Sequence, residues 1–289
     1  MNFPFYIARR YLFSKKKHNA INIISGISVC GVALATLALV CTLSVFNGFQ
    51  DMVASFFTAF DPQLKITVRE GKVFDAQDER IRAVCALPEV EVFTETLEEN
   101  AMVQYKDRQA MVVLKGVEDN FEELTAIDSI LYGAGEFVLH DSIVNYGVMG
   151  VELVATLGTG LEFVDPLQVY LPKRNAKVNM ANPGASFNRD YLYSPGVVFV
   201  VNQQEYDGKY ILTSLDFLRQ LLDYTTEVSA MELKLKSNVN TSSVQSKIEN
   251  ILGDDFVVQN RYQQQADVFR IMEIEKLISY LFLTFILMI

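Results

Sequence analysis

The residues that most often carry chemistry are scarce in this sequence. Among 289 residues there are two histidines, three cysteines and no tryptophan. His18 and His140 are too far apart to form a local metal motif. Cys30, Cys41 and Cys85 give no framework of bridges. Basic excess is also missing, with 35 acidic against 25 basic residues. A nucleic-acid binder needs the opposite sign to displace counterions. There is no Gly-Xaa-Ser-Xaa-Gly elbow for a nucleophile. Leu157-Gly158-Thr159-Gly160 lacks the following Gly-Lys-Ser/Thr of a phosphate loop. His140 beside Asp141 makes no triad, because adjacent residues do not share that geometry. The acid pairs Glu98-Glu99, Glu122-Glu123 and Asp254-Asp255 read as solvated surface. The expectation is a chain that is no enzyme and needs no cofactor or metal.

Charge is segregated along the chain. Before Asp51 stand five basic residues, Arg9, Arg10, Lys15, Lys16 and Lys17, and no acidic ones. The remaining 20 basic and 35 acidic residues give the rest a net charge of −15. From Asn19 to Gln50 the chain is uncharged for 32 residues. About 20 apolar residues suffice for a helix to cross a bilayer core of roughly 30 Å. This segment therefore predicts a transmembrane helix over residues 19–50. A cleaved signal peptide would need a shorter apolar run with a small-residue site after it. Ala33-Leu34-Ala35 fits such a site only inside the run, and Val29 before Cys30 is branched where a lipoprotein box wants a small residue. Positive residues stay on the cytoplasmic side, so residues 1–18 are expected inside and the region after Gln50 outside. Phe3 to Phe13 mixes aromatics with arginines and reads as a short helix on the inner membrane surface. Cys30 and Cys41 fall on one helical face, as small packing residues within lipid.

The chain closes with a second uncharged run, Leu277 to Ile289. Its 13 residues are too few for a helical span. The expectation is that 271–289 holds the truncated start of a second transmembrane helix whose natural chain continues. A buried terminal helix of the outside domain is the alternative.

Residues 51–270 alternate between strand and helix patterns. Gln63–Arg69, Val90–Tyr105, Gln109–Val117, Pro166–Leu171, Gly196–Asn202, Val228–Leu235 and Phe256–Val258 read as strands. Asp78–Leu87, Asn145–Leu157, Thr213–Leu222 and Val239–Leu252 read as helices, with Pro88, Gly158 and Gly253 as stops and Thr213 or Ser214 as a cap. Cys85 falls on an apolar helix face and reads as a packed thiol. The predicted fold class is α+β, as one mixed domain or two lobes. Lys173 to Pro195, rich in Asn, Gly and Pro, reads as a long loop between two strands. Loops beyond about 12–15 residues are usually functional or disordered. Lys173, Arg174, Lys177 and Arg189 make it basic on an acidic domain. Such a loop suits an acidic partner or membrane headgroups, and a mobile surface excursion is equally open.

In order along the chain, these features resemble a known family. Tyr6-Ile7-Ala8-Arg9-Arg10-Tyr11-Leu12 is similar to the opening Ala-Arg-Arg-Tyr-Leu pattern of the lipoprotein-releasing permeases of the LolC/LolE family. Leu43-Ser44-Val45-Phe46-Asn47-Gly48-Phe49 resembles the Ser-Val-Xaa-Asn-Gly-Phe close of their first span. Gly150-Val151-Glu152-Leu153-Val154-Ala155-Thr156-Leu157-Gly158 resembles their Gly-Xaa-Xaa-Leu-Ala-Xaa-Xaa-Leu-Gly helix, and Glu275-Lys276 their entry to the second span. That family belongs to the MacB/FtsX-type permease superfamily of ABC transporters.

The resemblance implies a permease subunit in an inner membrane with a large periplasmic domain of the MacB type. It implies as partners a separate ABC ATPase subunit, a second permease subunit of the same or related kind, a periplasmic lipoprotein chaperone, a lipoprotein substrate and membrane lipid. In a LolC-type subunit it implies that the 173–195 loop recruits the chaperone, with Ala181, Asn182, Pro183 and Gly184 at its tip; LolE-type subunits do not use this loop that way, and the resemblance covers LolC-like, LolE-like and hybrid subunits. Leu39, Leu43, Phe46 and Phe49 form one helical stripe near the outer end of the span. They are candidates for lipid or substrate contact, against the alternative of ordinary packing between spans. Another MacB/FtsX-type permease, for efflux or cell division, is the sibling reading. A membrane-anchored binding or sensor module is the reading of a different class.

Overall fold

An uncharged segment can satisfy its own backbone polar groups away from water only by helix formation or strand closure. In the computed structural model, which describes residues 3–12, 19–54, 60–174, 186–264, 274–282 and 284–285, that segment is helical throughout. Helix α1 spans Phe3–Leu12 and α2 spans Asn19–Ala54. Within α2, Ile23–Gly48 is long and apolar enough, by length and composition, to cross a membrane. Its 26 residues measure roughly 39 Å at helical rise. The Thr36 hydroxyl donates to the Val32 carbonyl at 2.8 Å, so this polar group is satisfied within the helix. Residues 274–282 are also helical. These segments belong to a unit made of Met1–Phe56 with Gln265–Ile289, and Phe57–Gln264 forms a second unit.

The second unit is built on a nine-stranded sheet. Its members are β1 (Leu64–Val68), β3 (Val90–Tyr105), β4 (Arg108–Val117), β6 (Val148–Met149), β7 (Leu167–Pro172), β8 (Phe187–Leu192), β10 (Tyr210–Ser214), β12 (Ala230–Leu235) and β13 (Phe256–Asn260). Two small ribbons join β2 (Phe74–Asp75) to β11 (Glu227–Val228) and β5 (Leu131–Gly133) to β9 (Val197–Phe199). The main path runs β13-β1-β12-β3-β4-β10-β6, and β7 and β8 branch from β3. The branch is possible because β3 is 16 residues long. Its first half pairs with β12 and its second half with β7, while β4 follows it from Thr96 to Tyr105. The fold is therefore α+β, with two helix-covered cores on one shared sheet.

Among the described residues, seven α-helices accompany the strands in this unit: α3 (Glu79–Cys85), α4 (Phe121–Leu124), α5 (Val151–Leu157), α6 (Gln204–Asp207), α7 (Leu215–Leu222), α8 (Thr241–Leu252) and α9 (Arg261–Gln264). Ile81 and Val84 of α3 and Val244, Ile248 and Leu252 of α8 pack on Leu64, Ile66, Met231 and Leu233. Leu153 and Leu157 of α5 and Phe217, Leu218 and Leu221 of α7 pack on Leu97, Val103, Leu114, Val169 and Ile211. Strand alternation sends the intervening residues to the opposite face. There a third cluster gathers Phe60, Phe121, Ile127, Val148, Phe199 and Leu212. Caps mark the helix starts. Asp78 accepts from the Arg80 amide, Ser214 from Phe217, and Asn240 from Ser242 and Ser243. Gly253, at φ 71°, ends α8 where the sequence places a stop.

Three expected elements change character. Asn145–Leu157 is not one helix. Asn145 bridges His140, Val148–Met149 is strand β6, and only Val151–Leu157 is helical. Gly150 sets that boundary, since a Cβ there would lie 2.4 Å from the Asp207 carbonyl oxygen. Thr213–Leu222 divides at Ser214, which ends β10 and caps α7. Lys173–Pro195 is not loop throughout, because Phe187–Leu192 is strand β8 paired with β7. Its Asn-Arg-Asp-Tyr centre lacks an apolar signal because β8 is bonded to β7 alone and exposes most of its side chains. Replacing Gly150 by alanine forces backbone against backbone, so Gly150→Ala is expected to cost about 1–3 kcal/mol. Thermal unfolding of the detergent-solubilised chain measures it.

Candidate functional site

Three regions have the makings of a site: a stripe on α2, the β7–β8 hairpin, and a charged centre within the sheet. On α2, Leu39, Leu43 and Phe46 lie on the partly shielded side with Ala35, Ala38 and Thr42. Val32, Leu34, Leu37, Val40 and Val45 are bare. Phe49 belongs to the same helix, and its side chain lies outside the described residues.

The hairpin is β7 with β8, in register from Leu167 opposite Leu192 to Pro172 opposite Phe187. Beyond the last pair, the Lys173 amide donates to the Ser186 carbonyl at 2.9 Å. The chain between them is the candidate recognition loop, and Ala181, Asn182, Pro183 and Gly184 lie outside the described residues. Its base is braced. The Asn188 side-chain amide donates to the Leu221 carbonyl of α7 at 2.7 Å. The Arg174 guanidinium lies over the Tyr224 ring at 5.0 Å and 3.9 Å from the Glu227 carboxylate. These contacts hold the two ends of the loop, Lys173–Arg174 and Ser186–Asn188, on the sheet domain.

The charged centre was not legible as a site. Lys115 of β4 and Glu232 of β12 are 1% and 0% exposed, and Lys115 Nζ donates to Glu232 Oε1 at 2.6 Å. Glu98 of β3 lies 3.6 Å from Lys115 and 3.2 Å from Lys65 of β1. Glu98 is thus part of an interior ion network, which corrects its reading as solvated surface. Phe60 covers the network: Lys115 Nζ is 5.7 Å from its ring centroid and 5.6 Å from that of Phe121. Asp61 beside it is buried and accepts from the Tyr206 hydroxyl at 3.2 Å. Arg261 and Gln264 donate to the Asp61 and Pro62 carbonyls, so the two ends of this unit are tied together. In sequence only Lys115 stands out, as the lone charge within Val112–Val117, while Glu232 shares Ala230–Leu235 with Lys234.

Burial alone would raise the Glu98 carboxyl, yet Lys65 and Lys115 hold it below the usual carboxylate range. Burial likewise lowers the Lys65 ammonium, and Glu98 and Glu232 more than reverse that. Burial raises the Tyr206 and Tyr210 phenols, as do the nearby carboxylates.

A polar cleft of about 340 Å³ opens where β4 and β10 end, lined by Glu118, Asp119, Asn120, His140, Asp216 and Arg219 among others. His140 meets Asp119 at 3.0 Å, and Ser214 is engaged as the cap of α7. Among the described residues no three His, Cys, Asp or Glu side chains are placed to hold a metal ion. Burial pushes the Cys85 thiol up to about 11, which suits a packed and unreactive sulfur.

The network makes two outcomes testable. Lys115→Met strands Glu232 and is expected to cost about 3–5 kcal/mol, with Lys115→Met/Glu232→Leu recovering most of it. Urea unfolding of the two variants checks this. The depressed Glu98 carboxyl contributes fully above its unfolded value of about 4.3 and loses that contribution as pH falls through the lower folded value. Glu98→Gln is therefore expected to flatten the acid limb of stability as pH falls below about 4.3, which acid titration of unfolding checks.

Comparison with known proteins places this geometry. The description "MacB-like periplasmic core domain" fits residues 25–251. The chain is 22% identical to the lipoprotein-releasing system transmembrane protein LolC of Xylella fastidiosa over 97% of its own length. It is also 22% identical to the lipoprotein-releasing system transmembrane protein LolE of Haemophilus influenzae, again over 97% of this chain. In both cases it spans 66% of the relative's length. The periplasmic region of MacB from Actinobacillus actinomycetemcomitans aligns with a TM-score of 0.47 at 10% identity, over 71% of this chain and 91% of that one. With the family match covering most of the sequence, the chain belongs to the MacB-like periplasmic core domain family.

Proposed function

We propose that this chain is the amino-terminal part of a permease subunit in an ATP-driven complex that releases lipoproteins from an inner membrane. The observation that carries the reading is the β7–β8 hairpin, a braced arm with an 11-residue Asn- and Pro-bearing segment, 175–185, at its end. It stands on a MacB-like core that follows an apolar helix. Relatives named as lipoprotein-releasing transmembrane proteins support it. In this reading the acidic domain lies on the periplasmic side. ATP hydrolysis resides on a separate subunit, a second permease completes the pair, and Ala181 to Gly184 hold the soluble lipoprotein chaperone.

Physics sets the task. Each buried acyl CH₂ is worth about 0.8 kcal/mol, so three chains of about 16 carbons would cost on the order of 30–40 kcal/mol to expose to water. The acyl chains must therefore pass between apolar surfaces throughout. Leu39, Leu43, Phe46 and Phe49 would supply one such wall, and the hairpin tip would bring the chaperone to receive the cargo.

Replacing Ala181 to Gly184 with a Gly-Ser segment is expected to leave the unfolding temperature unchanged and to abolish capture of the chaperone. Pull-down with purified chaperone checks it, and unchanged capture would refute the assignment. Capture of an efflux adaptor instead would favour the sibling permease reading.

A further inference from the structure

Two aliphatic side chains of the sheet unit stand almost wholly in solvent, Ile143 at 90% and Val164 at 92% exposure. They lie at opposite ends of the sheet. Val164 precedes β7, beside the β3–β4 turn, where Lys106 pairs with Asp165 at 3.1 Å and the Tyr105 and Phe163 rings meet. Ile143 belongs to the other end. The Ser214 hydroxyl, at the end of β10, donates to the Asn145 side chain at 3.4 Å. His140 meets Asp119, two residues beyond β4.

The pairing register identifies that end. β1 begins where β13 finishes, with Leu64 opposite Asn260. Leu64 pairs with Leu233, Leu233 with Phe93, and the Phe93 carbonyl accepts from Asn120 just past β4. The end of the sheet that carries Ile143 is thus the end through which the chain enters at Phe60 and leaves at Gln264. Phe60 follows the last residue of α2 by only six positions. Six extended residues reach at most roughly 20 Å.

Ile143 is also held in place. Asp141 Oδ1 accepts from the Ile143 and Val144 amides at 2.7 and 2.8 Å, and Asp141 Oδ2 accepts from the Tyr146 hydroxyl at 2.9 Å. The Asp141 amide donates to the Val144 carbonyl, and His140 bridges Asn145. Single exposed apolar residues are ordinary on protein surfaces. A mobile loop could fold such a side chain away, whereas this frame fixes it outward. The Asp141 carboxylate is committed to the frame, which leaves Ser142 and Ile143 as the tip.

We infer that the Asp141–Val144 turn is a lipid-contacting finger, with Ile143 entering the boundary between headgroups and acyl chains of the membrane that α2 crosses. The inference rests on α2 being a span. β1 and β6 are five strand spacings apart in the sheet order, or roughly 24 Å. A lipid contact at that lateral distance from β1 would be a second attachment of the sheet unit to the membrane, apart from the one its chain makes.

The test uses the full chain reconstituted in phosphatidylethanolamine/phosphatidylglycerol vesicles, with or without acyl-brominated lipid as quencher. Three single-cysteine proteins carry an environment-sensitive fluorophore: one at native Cys41 with Cys30→Ala and Cys85→Ala, and two with all three native cysteines replaced and Ser142→Cys or Val164→Cys added. Labels at Cys41 and Ser142→Cys are expected to lose emission in brominated vesicles, and the label at Val164→Cys to keep it. Adding Ile143→Asp to the Ser142→Cys protein is expected to abolish its quenching while far-ultraviolet circular dichroism is unchanged. Quenching at Cys41 but not at Ser142→Cys overturns the finger and leaves the span standing. Equal quenching at Ser142→Cys and Val164→Cys, or quenching that survives Ile143→Asp, also overturns it. A blue shift at Ser142→Cys without quenching points to a protein surface and overturns the lipid assignment. Absence of quenching at Cys41 removes the span and the finger together.

Discussion

A peptide group without a partner costs several kcal/mol in hydrocarbon. That constraint governs this protein more than any side chain. The uncharged stretch from Asn19 to Gln50 has no polar side chains in sufficient number to satisfy its backbone, so it is one helix, and its length is that of a span. Five basic residues precede it, and the chain after it carries a net charge of −15. The sheet domain has its first and last described strands side by side, β1 against β13, so entry and exit share one end. Arg261 and Gln264 fasten that end to Asp61 and Pro62.

The interior of the domain contains a second constraint. Lys115 and Glu232 meet at 2.6 Å under Phe60 and Phe121 with almost no contact with water. A buried ion pair is a weak source of net stability, because desolvation offsets attraction. Its effect is on alternatives. A one-residue slip of β4 against β3, or of β12 against β3, would turn Lys115 or Glu232 towards the apolar helix side. β3 pairs with β12, β4 and β7 at once, so a register error there would disturb both helix-covered cores and the arm that leaves β7. Glu98 and Lys65 extend the same charge pattern across four adjacent strands.

Much of this was readable from residues alone. Strict alternation in Gln63–Arg69 and Val228–Leu235, the helical spacing of Asp78–Leu87, the cap at Ser214 and the stop at Gly253 all mark elements that formed nearby. The failures have physical causes. Val148–Met149 and Val151–Leu157 read as one helix because the break depends on how close Asp207 comes to Gly150, a tertiary fact. Phe187–Leu192 was hidden because an outer strand bonded to one neighbour can keep polar side chains on both faces. Lys115, Glu98 and Glu232 were invisible as a network because each has an ordinary local sequence, and only strand pairing brings them together. Of the candidate regions, the apolar helix and a long segment after Lys173 were legible from charge, length and Asn/Pro content, and the pairing of β7 with β8 was not. Ile143 was not, since its exposure depends on the hydrogen bonds that Asp141 makes.

Every functional role assigned to this chain depends on which side of the membrane the sheet domain occupies. The direct measurement is reaction of a membrane-impermeant maleimide with Val164→Cys, in a chain with Cys30, Cys41 and Cys85 replaced by alanine, in intact spheroplasts and after lysis. Val164 is nearly fully exposed, so access depends on sidedness alone. Full labelling before lysis is the expected result. Labelling that appears only after lysis would put the acidic domain in the cytosol and contradict the periplasmic placement.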